Sequence, residues 1–172
     1  MKVQQQKERL FTTEQVMGES ERFLKYVGYE LQPVSEIGSI QPDFHARRQS
    51  ESATYELIGI VRQSLDEAED AFVKLTAIKA ALGESVDYVL VLPPVSEYLT
   101  IELFTKEGGR LFYETKRQQF MIWLCNPERQ TTTCLVGSTR DNLFNDYFAS
   151  PKPGTFEQFI SMRLFHEYPE DE

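Results

Sequence analysis

Two acids carry the most specific chemistry in the chain. Pro42-Asp43 opens one candidate strand and Glu56 lies in the next, with twelve residues between the acids. Paired carboxylates on neighbouring strands supply the hard oxygen ligands that Mg²⁺ prefers, with room for waters and a phosphate. The backbone carbonyl of Leu57 would complete such a set. The chemistry would be attack of metal-activated water on a phosphodiester, with a nearby cation stabilising the developing charge. His45, two residues from Asp43, shares its strand face and is a candidate base or ligand. Arg47, Arg48 and Arg62 form a compact cationic group for phosphate contact. Each residue also has a plain reading. Pro-Asp is common turn chemistry, Glu56 suits a solvent-facing strand position, and His45 suits a satisfied polar one. The arginines suit ion pairs with nearby acids such as Glu51 and Asp66.

The elements that must position these residues follow from local patterns. Thr12 and Gln15 form a capping-box pair, Val16, Ser20, Phe23, Leu24 and Val27 recur at helical spacing, and Gly28 supplies a stop. A helix is therefore predicted over 13–27. YELQPV reads as a short strand, PDFHARR as a second and TYELIGIVR as a third. Ser64 with Glu67 predicts another capping box, followed by one apolar stripe through Leu65, Ala68, Phe72, Leu75, Ile78 and Leu82. VDYVLVL reads as a strand covered on both faces. Ser96 to Glu107 reads as a helix stopped by Gly108-Gly109, with a strand as the alternative. LFYETKRQQFMIWLC reads as a long strand, TTTCLVG as its return, and residues 143–148 as a short helix. SPKPG breaks the chain before a last helix capped by Thr155 and Gln158. Helix, meander, helix, strand is a mixed α/β order with one central sheet.

The composition bounds the partners. The 172 residues are 41% hydrophobic, which suits one folded domain with its own core. The net charge is −9, and the tail acids Glu167, Glu170, Asp171 and Glu172 contribute part of it. That balance disfavours a phosphate backbone as ligand. The longest apolar run, FMIWLC, is too short to span a bilayer. The opening MKVQQQKERL lacks the apolar stretch of a secretory signal, so a cytoplasmic location without membrane attachment is expected. Cys125 and Cys134, with eight residues between them and flanking a turn-rich NPERQ, are expected to be reduced core thiols facing each other across a hairpin. The aromatics Trp123, Phe112, Tyr113, Phe120, Tyr147, Phe148, Phe156 and Phe159 adjoin only Lys116 and Arg117. They therefore suit a core or subunit interface better than a base-stacking platform.

From roughly Thr13 to Pro94 the chain resembles the PD-(D/E)XK nuclease superfamily, the restriction-endonuclease-like fold. The resemblance rests on FLKYVGYE, VSEIG, QPDFHAR, YELIGIVR, the capped helix to AALG, and DYVLVLP, in that order. It implies a central mixed β-sheet flanked by helices over a 13–94 nuclease-like core. A C-terminal extension over 110–172, a β-hairpin plus helices, completes a single 1–172 domain. In that family the PD aspartate and the acid of (D/E)XK bind metal, which implies Asp43 and Glu56. An acid of the first helix sometimes joins them, which implies Glu21 or Glu19. Two residues beyond the second acid the family carries a lysine, and here that position is Ile58. In a register shifted by one strand period the two positions become Ile58 and Ile60, and neither register restores the lysine. Some members carry it on the following helix, where Lys74 or Lys79 would have to reach in, although both also read as ordinary helix-surface charges.

Three functions follow as expectations. The leading one is a degenerate member of the nuclease fold that serves as a non-catalytic binding or structural module and needs no cofactor. The second is a Mg²⁺-dependent nuclease of DNA or RNA with its lysine relocated to Lys74 or Lys79. The third is a protein-interaction subunit or homodimer that docks through the 110–172 region, because the doubly apolar stretch Phe120 to Cys125 needs cover.

Overall fold

A computed structural model describes residues 11–149 and 154–167. The MKVQQQKERL start, the 150–153 part of the predicted break and the acidic end from residue 168 lie outside the described residues. The first helix, α1 (Thr13–Val27), begins as its capping box dictates. Thr12 Oγ1 accepts the Gln15 N–H at 3.1 Å, and Gln15 Oε1 accepts the Thr12 N–H at 2.9 Å. Gly28 ends it at φ 106°, a left-handed conformation that a side chain would resist.

Strands β1 (Glu30–Gln32), β2 (Phe44–Gln49) and β3 (Thr54–Val61) form an antiparallel meander. A 3₁₀ turn at Leu65–Glu67 then leads into α2 (Ala68–Leu82). The capping box predicted for Ser64 and Glu67 does not form. Ser64 makes no side-chain cap, and Glu67 Oε1 instead accepts the Gln63 N–H at 3.3 Å. Helix α2 carries the chain across the sheet to β4 (Asp87–Leu92), which runs parallel to β3. This is the helix, meander, helix, strand order read from the sequence.

The largest correction falls after β4. Helix α3 spans Glu97–Gln118, broken at Lys106–Gly109, where Glu107, Gly108 and Gly109 all take positive φ. Beyond that break residues 110–118 form a second helical stretch rather than the first half of a long strand. Leu111, Phe112 and Thr115 are buried at helical spacing, while Glu114 and Arg117 pair outside. The strand β5 (Met121–Asn126) begins only after Gln119, and it pairs parallel to β4. Strand β6 (Thr131–Val136) returns antiparallel, followed by α4 (Asn142–Asp146) and α5 (Thr155–Glu167). The result is a six-stranded mixed sheet in the order β1-β2-β3-β4-β5-β6, an α/β fold flanked by helices on both faces.

Each face has its own core. Ile58, Ile60, Tyr88, Leu90 and Ile122 pack under α2, α3 and α5. Leu57, Val61, Val89, Val91 and Trp123 pack under α1 and the Phe144–Phe148 segment. Of the apolar stretch Phe120 to Cys125, Leu124 is partly buried and every other residue is at most 2% exposed, so the stretch is covered within the chain. A register shift between Ile122 and Trp123 sends Val136 to one core and Cys134 to the other. Cys125 consequently faces Thr132 and Cys134 faces Trp123, so the two thiols are diagonal neighbours rather than opposite each other. Both are free and buried, and burial pushes Cys125 up to about 11 and Cys134 up to about 12.

Candidate functional site

The hairpin β2–β3 decides which residues meet. Its turn is held by Ser50, whose N–H donates to Ala53 O at 2.8 Å and whose Oγ accepts the Ala53 N–H at 3.1 Å. That turn fixes the pairs Arg47 with Glu56, His45 with Ile58, and Phe44 with Gly59. Continued by one step, that register sets Asp43 against Ile60. Its N–H donates to Gly59 O at 2.9 Å, and its Oδ2 accepts the Val61 N–H at 2.7 Å. Arg62 Nη1 reaches the same Oδ2 at 3.3 Å.

Asp43 and Glu56 are therefore not brought together. Glu56 stands four residues before Ile60, about 13 Å along the strand at a rise of roughly 3.3 Å per residue. It pairs instead with Arg47 Nε at 3.4 Å, with His45 Nε2 3.9 Å away. Leu57 is wholly buried between α1 and the sheet, its Cα flanked by Ala46 and Asp87. The residue that faces Asp43 is Ile60, and the residue two further on is Arg62. Applied to the (D/E)XK spacing, that geometry puts an isoleucine in the acid's place and an arginine in the lysine's place.

The remaining candidates lie elsewhere. Lys74 pairs with Asp70 at 3.1 Å on the surface of α2. Lys79 donates to the Gln118 carbonyl and lies 5.8 Å above the Phe120 ring, at the edge where β4 and β5 begin. Asp43 is at the opposite edge, where β3 and β4 end. Glu19 and Glu21 are on α1, which covers the other face of the sheet from Glu56. Glu19 is buried, and Arg22 donates to it at 2.6 and 2.8 Å. Arg22 also donates to Gln130 O, so the pair ties α1 to the β5–β6 turn.

A magnesium ion does not fit this donor set. One oxygen of Asp43 is occupied by a backbone N–H and a guanidinium, Ile60 offers no side-chain oxygen, and Glu56 is out of reach. Among the described residues no group of three or more His, Cys, Asp or Glu side chains is arranged to hold a metal.

Two charged assemblies escape reading from the sequence because their members come from distant segments. In the first, Arg48 Nε and Nη2 each donate to Asp141 at 2.6 Å, and Tyr29 Oη donates to it at 2.9 Å. Burial would raise the Asp141 carboxyl, but the bonds from Arg48 and Tyr29 more than offset it and hold it below the ordinary aspartate value. The arginines do form ion pairs, as expected, though with Glu56, Asp141 and Asp43 rather than with Glu51 and Asp66. The second assembly lines a cavity of 320 Å³ between the start of β4 and the end of β6. There Asp87 accepts the Arg140 N–H at 3.1 Å and Lys116 pairs with Glu157 at 3.4 Å. Burial raises the Asp87 carboxyl, and the Arg140 contacts only partly oppose that.

No protein-family model matches the chain, and no curated protein matches it. Two solved structures are similar to it over 69% of this chain and 95% of theirs. One is an XisH family protein from Nostoc punctiforme, at 13% identity and a TM-score of 0.47. The other is an fdxN element excision controlling factor protein from Anabaena variabilis, at 15% identity and a TM-score of 0.48. Among the described residues no helix is long and apolar enough to cross a membrane.

Proposed function

We propose that this chain is a restriction-endonuclease-like protein whose two-carboxylate metal centre has been replaced by an ion pair, and that it acts as a non-catalytic binding or structural module. One observation carries the reading: Arg62 lies on the Asp43 carboxylate, and the β2–β3 register sets Ile60, not an acid, against Asp43. An aliphatic side chain cannot ligate a cation or activate water. A guanidinium seated on the surviving acid adds a positive charge where the divalent ion would have to enter. The net charge of −9 further supports a partner that is not nucleic acid. No contact of Lys74 or Lys79 favours the relocated-lysine nuclease, since one is paired on the surface and the other is held at the far edge of the sheet.

The test is incubation of single- and double-stranded DNA and RNA with the intact chain in Mg²⁺ and Mn²⁺, alongside calorimetric titration with each metal. The expected result is no cleavage and no heat of metal binding that Asp43→Ala abolishes. Cleavage that disappears in Asp43→Ala would overturn the reading.

A further inference from the structure

A binding module needs a face that binds, and one lies beside the Asp43–Arg62 pair. The 3₁₀ turn at Leu65–Glu67 and the first half of α3 enclose a groove of 420 Å³. A smaller cavity of 160 Å³ continues it past Gln63 and the Pro93–Ser96 segment, sharing Leu65, Asp66 and Leu99 with the first. The floor is apolar. Leu65, Val95 and Leu103 are half-buried against the core below, and Leu99 remains 50% exposed.

The rim is acidic. Asp66, Glu69 and Glu102 surround the floor, and Lys106 is the one basic lining residue. Lys106 is already committed to Glu69 at 2.8 Å, with Arg110 also reaching Glu69 at 3.6 Å. Asp66 and Glu102 stand on opposite walls and have no ion-pair partner among the described residues. Two unpaired acids across an apolar trough ask for a cationic side chain between them and aliphatic side chains beneath it.

We propose that this groove docks a basic amphipathic segment of a partner protein. Leucine-type side chains at helical spacing would cover Leu65, Leu99 and Leu103, and a Lys or Arg would lie between Asp66 and Glu102. Charge complementarity selects this occupant. A nucleic acid would be repelled by the rim, and a second copy of a chain with net charge −9 is a poor match for an acidic groove. The inference rests on the non-catalytic reading, of which it names the partner class.

The test titrates the full chain with a fluorescent Leu/Lys peptide whose leucines recur at helical spacing, followed by anisotropy and backbone amide shifts. A scrambled peptide of the same composition and a Leu/Glu counterpart serve as controls. The expected result is saturable binding of the patterned peptide, with shifts confined to residues around 63–69 and 93–106. Leu99→Asp and the pair Asp66→Lys/Glu102→Lys should each weaken it by at least about tenfold. Both alter exposed residues, and circular dichroism checks that the fold is kept. Equal binding of the scrambled peptide, or variants without effect, would overturn the proposal. So would a tenfold tightening on removal of residues 1–10, which would assign the groove to the chain's own Lys2, Lys7 and Arg9 segment leading into Phe11. Metal-dependent cleavage would sink the non-catalytic reading without touching these peptide results, and a failed titration would leave the cleavage result standing.

Discussion

A carboxylate's neighbours decide whether it is a ligand, a strut or a liability, and the last two fates are both found here. Asp43 has become a strut: its Oδ2 holds the Val61 N–H at the end of β3 and takes Arg62 besides. Asp43→Ala should therefore lower stability by about 1–2 kcal/mol, the loss of a charge-assisted bond to backbone. Arg62→Ala should cost less than about 1 kcal/mol, because that pair is partly solvated. Urea midpoints of the two variants test the ordering. Asp141 and Asp87 make an opposed pair. The depressed Asp141 carboxyl stabilises the fold above about pH 4, and that contribution is lost as pH falls through its lowered folded value. The raised Asp87 carboxyl does the reverse, costing stability while ionised and relieving it as pH falls. Asp141→Asn should thus lower stability near neutral pH by about 2–3 kcal/mol, leaving Arg48 and Tyr29 short of an acceptor. Asp87→Asn should raise the melting temperature at neutral pH. Melting curves from pH 3 to pH 7 separate the two signs.

The β2–β3 pair is where geometry is least forgiving. A Cβ at Gly59 would sit 2.1 Å from Phe44 Cζ, so the Phe44 ring lies directly over the glycine of the neighbouring strand. That ring is only 1% exposed and stacks near Trp123 at 6.4 Å, which leaves it nowhere to retreat. Gly59→Ala should cost about 1–3 kcal/mol by overpacking. In the double variant with Phe44→Leu the two losses should be markedly less than additive. A strictly additive pair would show that the contact is not the cause. The same register was only partly legible from residue types. The strands themselves were readable from their alternation, but which residue faces Asp43 depends on where the hairpin turns. The QSES turn is visible, but counting back from its centre pairs Asp43 with Ile58; the hairpin turns one residue later, about Glu51-Ser52, and only that register leads to Ile60 and Arg62. Glu56 has the residue type that a metal site needs, but residue type alone does not give its position opposite Arg47. In α3 the difference between pattern and structure is one of period. LFYETKRQ looks alternating, whereas Leu111, Phe112 and Thr115 are spaced to bury one side of a helix.

At the scale of the whole molecule, the two cores explain why the apolar β5 needs no partner chain for cover. Trp123, the single tryptophan, is wholly buried among Phe23, Phe44, Phe144 and Phe148. Its emission should be blue-shifted and nearly inaccessible to acrylamide in the native state. Its red shift in urea should coincide with the loss of helical dichroism if the cores melt as one unit. Separate transitions would show that the α1 side and the α5 side are independent. The element order, the position of α1 with its cap and the buried character of β4 were all set by residue type and short-range spacing. These depend on propensity, capping and burial period, which act over a few residues. Arg48 with Asp141, Ile60 beside Asp43, and the acidic rim of the groove were decided by the tertiary structure alone. Each joins segments whose separation along the chain carries no signal, and only strand register and helix packing bring them within reach.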